Sequence, residues 1–210
     1  DISVTVGPEE EGDASIAALA TGVRDELVRR LDAQGSLALP FYPSFDRDDD
    51  PLSGFSRKPS TPRYSTGYWG LRNRIAILLE THSWKDYPTR VRITRNFIVD
   101  LIELAAQQSA DWQRAARSAD AAASHIRGAP VPLDFENTAA SRTIDFRGYE
   151  YTREPSAISG RPVTRYDPSK PMIWRVPLHE EVRSTLAVDA PGAGYIVPAA
   201  VATWLAEKLR

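Results

Sequence analysis

Three observations predict an α/β protein: alternating apolar residues at the start of the chain, a nearly continuous branched run in its middle, and short turn-bounded segments through its final third. The architecture they imply is a partial mixed sheet with packed helices over residues 1–128. A small β-rich C-terminal domain with a closing helix would follow over 134–210. A chain of 210 residues with 42% hydrophobic content is large enough to bury a core for each part.

Taken in order, Ile2, Val4 and Val6 alternate as in a strand, and the acidic turn GPEEEGD follows. Ile16, Leu19, Val23, Leu27 and Leu31 then recur at helical spacing, with Asp13 placed to cap the helix and Gly35 to end it. The short stretch LALPFY precedes residues 46–62, whose DRDDDP and SRKPSTP lack any sustained period and read as a long surface loop. IAILLE, running from Ile75 to Glu80, is short and branched, as expected of a strand covered on both faces. Beyond THSWKDYP, Ile93, Phe97, Leu101, Ile102 and Leu104 predict a helix over 92–109, and a second helical segment is expected over 111–126. Gly128 to Pro132 punctuates the chain. The segments TIDFRGYEY, VTRY, MIWRV, TLAVD and GYIV follow as predicted strands, separated by PSAISGRP, DPSKP and APGAG. Pro198 opens a closing helix carrying Val201, Trp204, Leu205 and Leu209.

The net charge of −2 lacks the clustered basic excess that phosphate neutralisation demands, so nucleic acid is not an expected partner. No apolar run reaches the roughly 20 residues needed to cross a bilayer. The absence of cysteine removes disulfides, thiolate nucleophiles and Cys-ligated zinc. The chain opens at Asp1 already reading as a strand, as expected of a piece of a larger protein.

Glu80 is the first candidate for chemistry, because a carboxylate at the end of a sheet strand sits where α/β folds expose their ligand crevice. The alternative is an ion pair with Arg72 or Arg74. Tyr64 and Tyr68, with Trp69, precede that strand and are candidates for substrate contact or for ordinary packing. His82, His125 and His179 are too widely spaced to announce a metal site, and no metal ligand is assigned within the chain. A Ser83, His82 and Asp86 triad fails on geometry, since adjacent side chains diverge. Tyr149, Tyr151, Tyr166 and Trp174 in the β-rich part would either recognise a peptide or glycan or simply cap the sheet.

The stretch GYWGLRNRIAILLETHSWKDYPTRVRITRNFIVDLI resembles the late part of the metallocarboxypeptidase fold, where a tyrosine-bearing loop leads into a strand ending in the catalytic glutamate. FRGYEYTREPSAISGRPVTRYDPSKPMIWRVP with GYIVPAA looks like the β-rich extension of bacterial members. The resemblance implies a zinc-dependent hydrolase of peptide or amide bonds, with Glu80 as general base and then acid, and Tyr64 or Tyr68 closing on a peptide or amino-acid conjugate. It implies zinc ligands in an N-terminal remainder of the same protein, leaving this chain inactive alone, and it suggests a periplasmic or secreted location. The third ligand position of such enzymes falls on Ser3, a poor zinc ligand. That substitution leaves a catalytically degenerate relative as the alternative, beside a peptide- or glycan-binding module.

Overall fold

The computed structural model describes residues 1–208 of the chain. In chain order its elements are β1 (Ile2–Gly7), α1 (Ala14–Ala33), β2 (Ala38–Leu39), β3 (Phe55–Ser56), α2 (Ser65–Leu71), β4 (Ala76–Thr81) and α3 (Tyr87–Ala123). There follow β5 (Pro130–Asn137), β6 (Arg142–Pro155), β7 (Pro162–His179), β8 (Val182–Asp189) and α4 (Ala199–Lys208). The class is mixed α/β, as the sequence predicts, and no helix among the described residues is long and apolar enough to cross a membrane.

The first sheet has the order β2-β1-β4, with β1 parallel to β2 and antiparallel to β4. The alternation in β1 sends Ile2 and Val4 onto one face, where Val23, Leu27 and Leu31 of α1 and Ile93, Phe97 and Leu104 of α3 enclose them. Burying each such side chain contributes about 1.5–3 kcal/mol, so this face anchors both helices. Asp13 caps α1 as expected: its carboxylate accepts from the backbone N–H of Ser15 at 2.9 Å and of Ile16 at 3.2 Å. Beyond the last turn of α1, Gly35 adopts φ of +80°, the left-handed geometry that ends helices.

The second sheet, β3-β7-β6, buries a different cluster made of Phe41, Phe55, Trp174, Val176 and Leu178. β5 and β8 form a separate two-stranded ribbon in which Pro130 and Pro132 of β5 sit in a ladder with irregular register. Residues 41–56 precede the expected boundary at 128–134, yet Phe41, Phe45 and Phe55 pack with this C-terminal cluster.

Several local expectations are corrected. β4 is an edge strand, and Leu78 and Glu80 are exposed, because α1 and α3 cover only the other face of the sheet and α2 reaches only the beginning of the strand. The two helices expected over 92–109 and 111–126 are one helix. The polar run around Asp111 contains no glycine or proline to break it, and Trp112 still packs against the first core. The segment 46–62 is no plain surface loop, since Phe55 is 1% exposed and β3 pairs with Leu178 and His179 of β7. DPSKP is not a turn between strands. β7 runs through it, with residues 168–170 bulging out where the register jumps between Tyr149 and Glu150. GYIV forms no strand, as nothing offers its backbone a ladder partner. Leu209, expected on the closing helix, lies outside the described residues.

Candidate functional site

The antiparallel register of β1 and β4 sets Ser3 directly opposite Glu80, Thr5 opposite Leu78 and Gly7 opposite Ala76. Directly paired residues share a sheet face with Cβ atoms about 5 Å apart, so these six lie together on the face turned away from α1 and α3. Ser3 is buried there and Glu80 is exposed beside it. Glu80 makes no hydrogen bond or ion pair with another side chain among the described residues. Of the two arginines expected to neutralise it, Arg72 makes no ion pair with it and Arg74 is bound instead to Asp120 through two contacts of 3.0 Å.

Next to Glu80 the chain turns at His82, whose backbone N–H donates to the Asp1 carbonyl at 2.9 Å. The backbone N–H of Trp84 donates to His82 Nδ1 at 3.1 Å, which leaves the ring proton on Nε2. Partial desolvation holds the His82 imidazole below its ordinary pKa, favouring this neutral form. The Trp84 ring lies edge-on to His82 at 5.3 Å and to Tyr166 at 5.9 Å, so the corner beside Glu80 abuts the β6–β7 sheet. Among the described residues the His82 ring makes no hydrogen bond with the side chain of Ser83 or Asp86, and its Nδ1 is taken by Trp84.

Tyr64 and Tyr68 are exposed, at 57% and 49%, and belong to the opposite end of β4. α2, which Tyr64 precedes and which carries Tyr68, packs where β4 begins: a methyl group on Gly7 would come within 2.9 Å of the Thr66 carbonyl oxygen. Four residues of strand, about 13 Å, separate that point from Glu80. Arg63 stacks over the Tyr64 ring at 5.5 Å, and Tyr68 meets Trp69 edge-on at 5.2 Å. Glu80 is thus brought together with Ser3 and not with either tyrosine.

The three histidines are likewise apart. His125 closes the end of α3, its Nδ1 lying 2.9 Å from the Ala121 carbonyl, while the His179 carbonyl at the end of β7 accepts from Arg57. No group of three or more His, Cys, Asp or Glu among the described residues is placed to hold a metal ion. In the β-rich part Trp174 is buried, its indole N–H donating to the Tyr149 carbonyl at 2.9 Å. Tyr151 and Tyr166 pack at 5.7 and 5.9 Å from it, so these three rings form one cluster, while Tyr149 is half-buried outside it.

A second charged region went unread in the sequence, where GPEEEGD registers only as an acidic turn. Glu9 is folded into a groove of about 420 Å³ between the start of α1 and Arg57, with Glu10, Arg24 and Glu180 at its walls. Burial pushes the Glu9 carboxyl up to about 7, outweighing the pull of the Arg57 guanidinium that contacts it. Three adjacent glutamates, one of them forced inward, are the signal that was present. Their partner Arg57 lies 48 residues away, which no local pattern reveals. Among known proteins, no family model, no curated protein and no solved structure matches this chain.

Proposed function

We propose that the chain is part of a hydrolase of peptide or amide bonds, similar to zinc carboxypeptidases, in which Glu80 handles the proton. The observation that carries this reading is the Ser3–Glu80 pair. The position expected to hold a ligand and the position expected to hold the base are cross-strand neighbours on one face. Glu80 keeps both carboxylate oxygens available to water at the end of an edge strand. Such a group takes a proton from the attacking water and returns it to the departing amine, a contribution of about 10²–10⁴ in rate.

The residues present do not by themselves fit zinc. Ser3 offers a hydroxyl that binds the ion poorly, and Glu80 and His82 complete no ligand set with it. In this reading the ligands come from other residues of the whole protein. The substrate class is a peptide or amino-acid conjugate, with Tyr64 and Tyr68 reaching the site only by movement of the segment before β4. Ser3 is also the feature that favours the second reading, a relative that has lost its chemistry. Hydrolysis of an N-acylated dipeptide by the whole protein tests both. The hydrolase reading expects Glu80→Gln to lower kcat by at least about 100-fold with the fold intact. Equal rates for the variant and the parent would sink it, and a parent with no activity favours the second reading.

A further inference from the structure

We propose that the outer edge of β4, with the flank of α3 beside it, is a strand-addition site for an extended segment of a partner protein that alternates apolar and acidic side chains. The proposal is independent of the hydrolase reading.

The phase of the β1–β4 ladder is set by the bond from the His82 N–H to the Asp1 carbonyl. Two residues along, Ser3 and Glu80 exchange bonds, then Thr5 and Leu78, then Gly7 and Ala76. The backbone N–H and C=O groups of Ile77, Leu79 and Thr81 therefore point away from β1. β1 is the one ladder partner of β4 among the described residues. Glu80 is the one charged side chain on the strand, and no proline, no lysine and no bulge interrupts AILLET.

α1 lies over β1 and β2, and α3 lies over β4. Gln34 of α1 donates to Asp100 at 2.9 Å and Arg30 reaches Glu103 at 3.4 Å, which identifies the side of α3 turned toward α1. At 3.6 residues per turn, Arg90, Val91, Thr94 and Ile98 fall on the opposite side, above the open edge of β4. Val91 and Ile98 are 47% and 49% exposed and line a groove of about 440 Å³ with Tyr87 and Arg90. Arg90 lines that groove with its guanidinium 5.9 Å over the Tyr87 ring, while its Nε is buried in the protein. Arg95 is a second cation at its rim.

An added strand presents alternate side chains to the two faces of the sheet. On the helix side an acidic residue meets the positive charge of Arg90 and Arg95. On the other side an apolar residue meets Leu78 and keeps negative charge away from Glu80. A slip of one residue would set acids beside Glu80 and apolar groups against the arginine, so alternation fixes the register. A second copy of this chain is the poorer occupant, because pairing β4 with its own two-fold mate brings the Arg90 and Arg95 flanks of both copies together.

The test uses two fluorescein-labelled eight-residue peptides, one alternating Val and Glu, the other Val and Lys, titrated into the chain by fluorescence anisotropy. The glutamate peptide is expected to bind at least about ten-fold tighter, and Arg90→Glu to reverse that order. Residue-resolved amide exchange is expected to show Ile77, Leu79 and Thr81 exchanging fast in the free protein and slowly with the glutamate peptide. Ala76, Leu78 and Glu80 should be protected throughout. Equal binding of the two peptides, no binding, or binding that leaves those three amides fast overturns the proposal. Protection of the three amides without peptide, in a protein that sediments as a dimer, assigns the edge to a second copy and overturns it as well.

Discussion

Replacing Phe55 by Ala removes a ring that is 1% exposed and lies 5.7 Å from Phe41, 5.3 Å from Phe45 and 4.6 Å from Phe146 between centroids. Losing a buried phenylalanine costs about 3–5 kcal/mol when the surroundings cannot collapse. Collapse is hindered here, because β3 is two residues long and is held to β7 at Leu178 and His179. With a urea slope of about 2–3 kcal/mol per molar for a chain of this size, the midpoint should fall by about 1–2.5 M at unchanged slope. Urea unfolding followed by tryptophan emission, to which the neighbouring Trp174 contributes, provides the assay. Leu52, 69% exposed in the same segment, is the control, and Leu52→Ala should cost no more than about 0.5 kcal/mol. A Phe55→Ala cost below about 1 kcal/mol, or equal costs for the two variants, would refute the docking of residues 41–56 onto the β-rich part.

Three further outcomes are expected. Glu9 has a folded pKa of about 7 against an ordinary 4.5, so between those values the folded state holds more protons than the unfolded one. Its contribution to stability therefore falls as pH rises through that window, by up to about 3 kcal/mol, and Glu9→Gln should flatten that slope in denaturation measured from pH 4.5 to 8. Ala110→Pro should cost about 3 kcal/mol, since α3 is unbroken there; a tolerated proline, read by thermal melting, would restore the two-helix reading. Asp13→Ala should cost about 0.5–2 kcal/mol through loss of the α1 cap, measured the same way, whereas Asp13→Asn should retain most of the stability.

What was legible in the sequence was local. β1 and α1 follow from single-period patterns with a capping aspartate and a stopping glycine, signals that lie within a few residues of what they control. The missed features depend on distant partners. Nothing near Phe55 announces that Leu178 will pair with it, and nothing in AILLET distinguishes an edge strand from a central one, because burial on one face already selects branched residues. DPSKP has the composition of a turn. The long ladder between β6 and β7 absorbs it as a bulge, with the flanking pairs holding on both sides. The same limit governs the site. The place of Glu80 at a strand end was readable, but its juxtaposition with Ser3 needed the register, and the distance to Tyr64 and Tyr68 needed the placement of α2.

Zinc content per chain, measured by elemental analysis after dialysis, tests the hydrolase account most directly when applied to residues 1–210 and to the longer protein that the account proposes. The account predicts no stoichiometric zinc on residues 1–210, where Ser3, Glu80 and His82 form no ligand set, and one equivalent on the whole protein, retained in Glu80→Gln. One equivalent bound tightly to residues 1–210, or none on the whole protein, would contradict it.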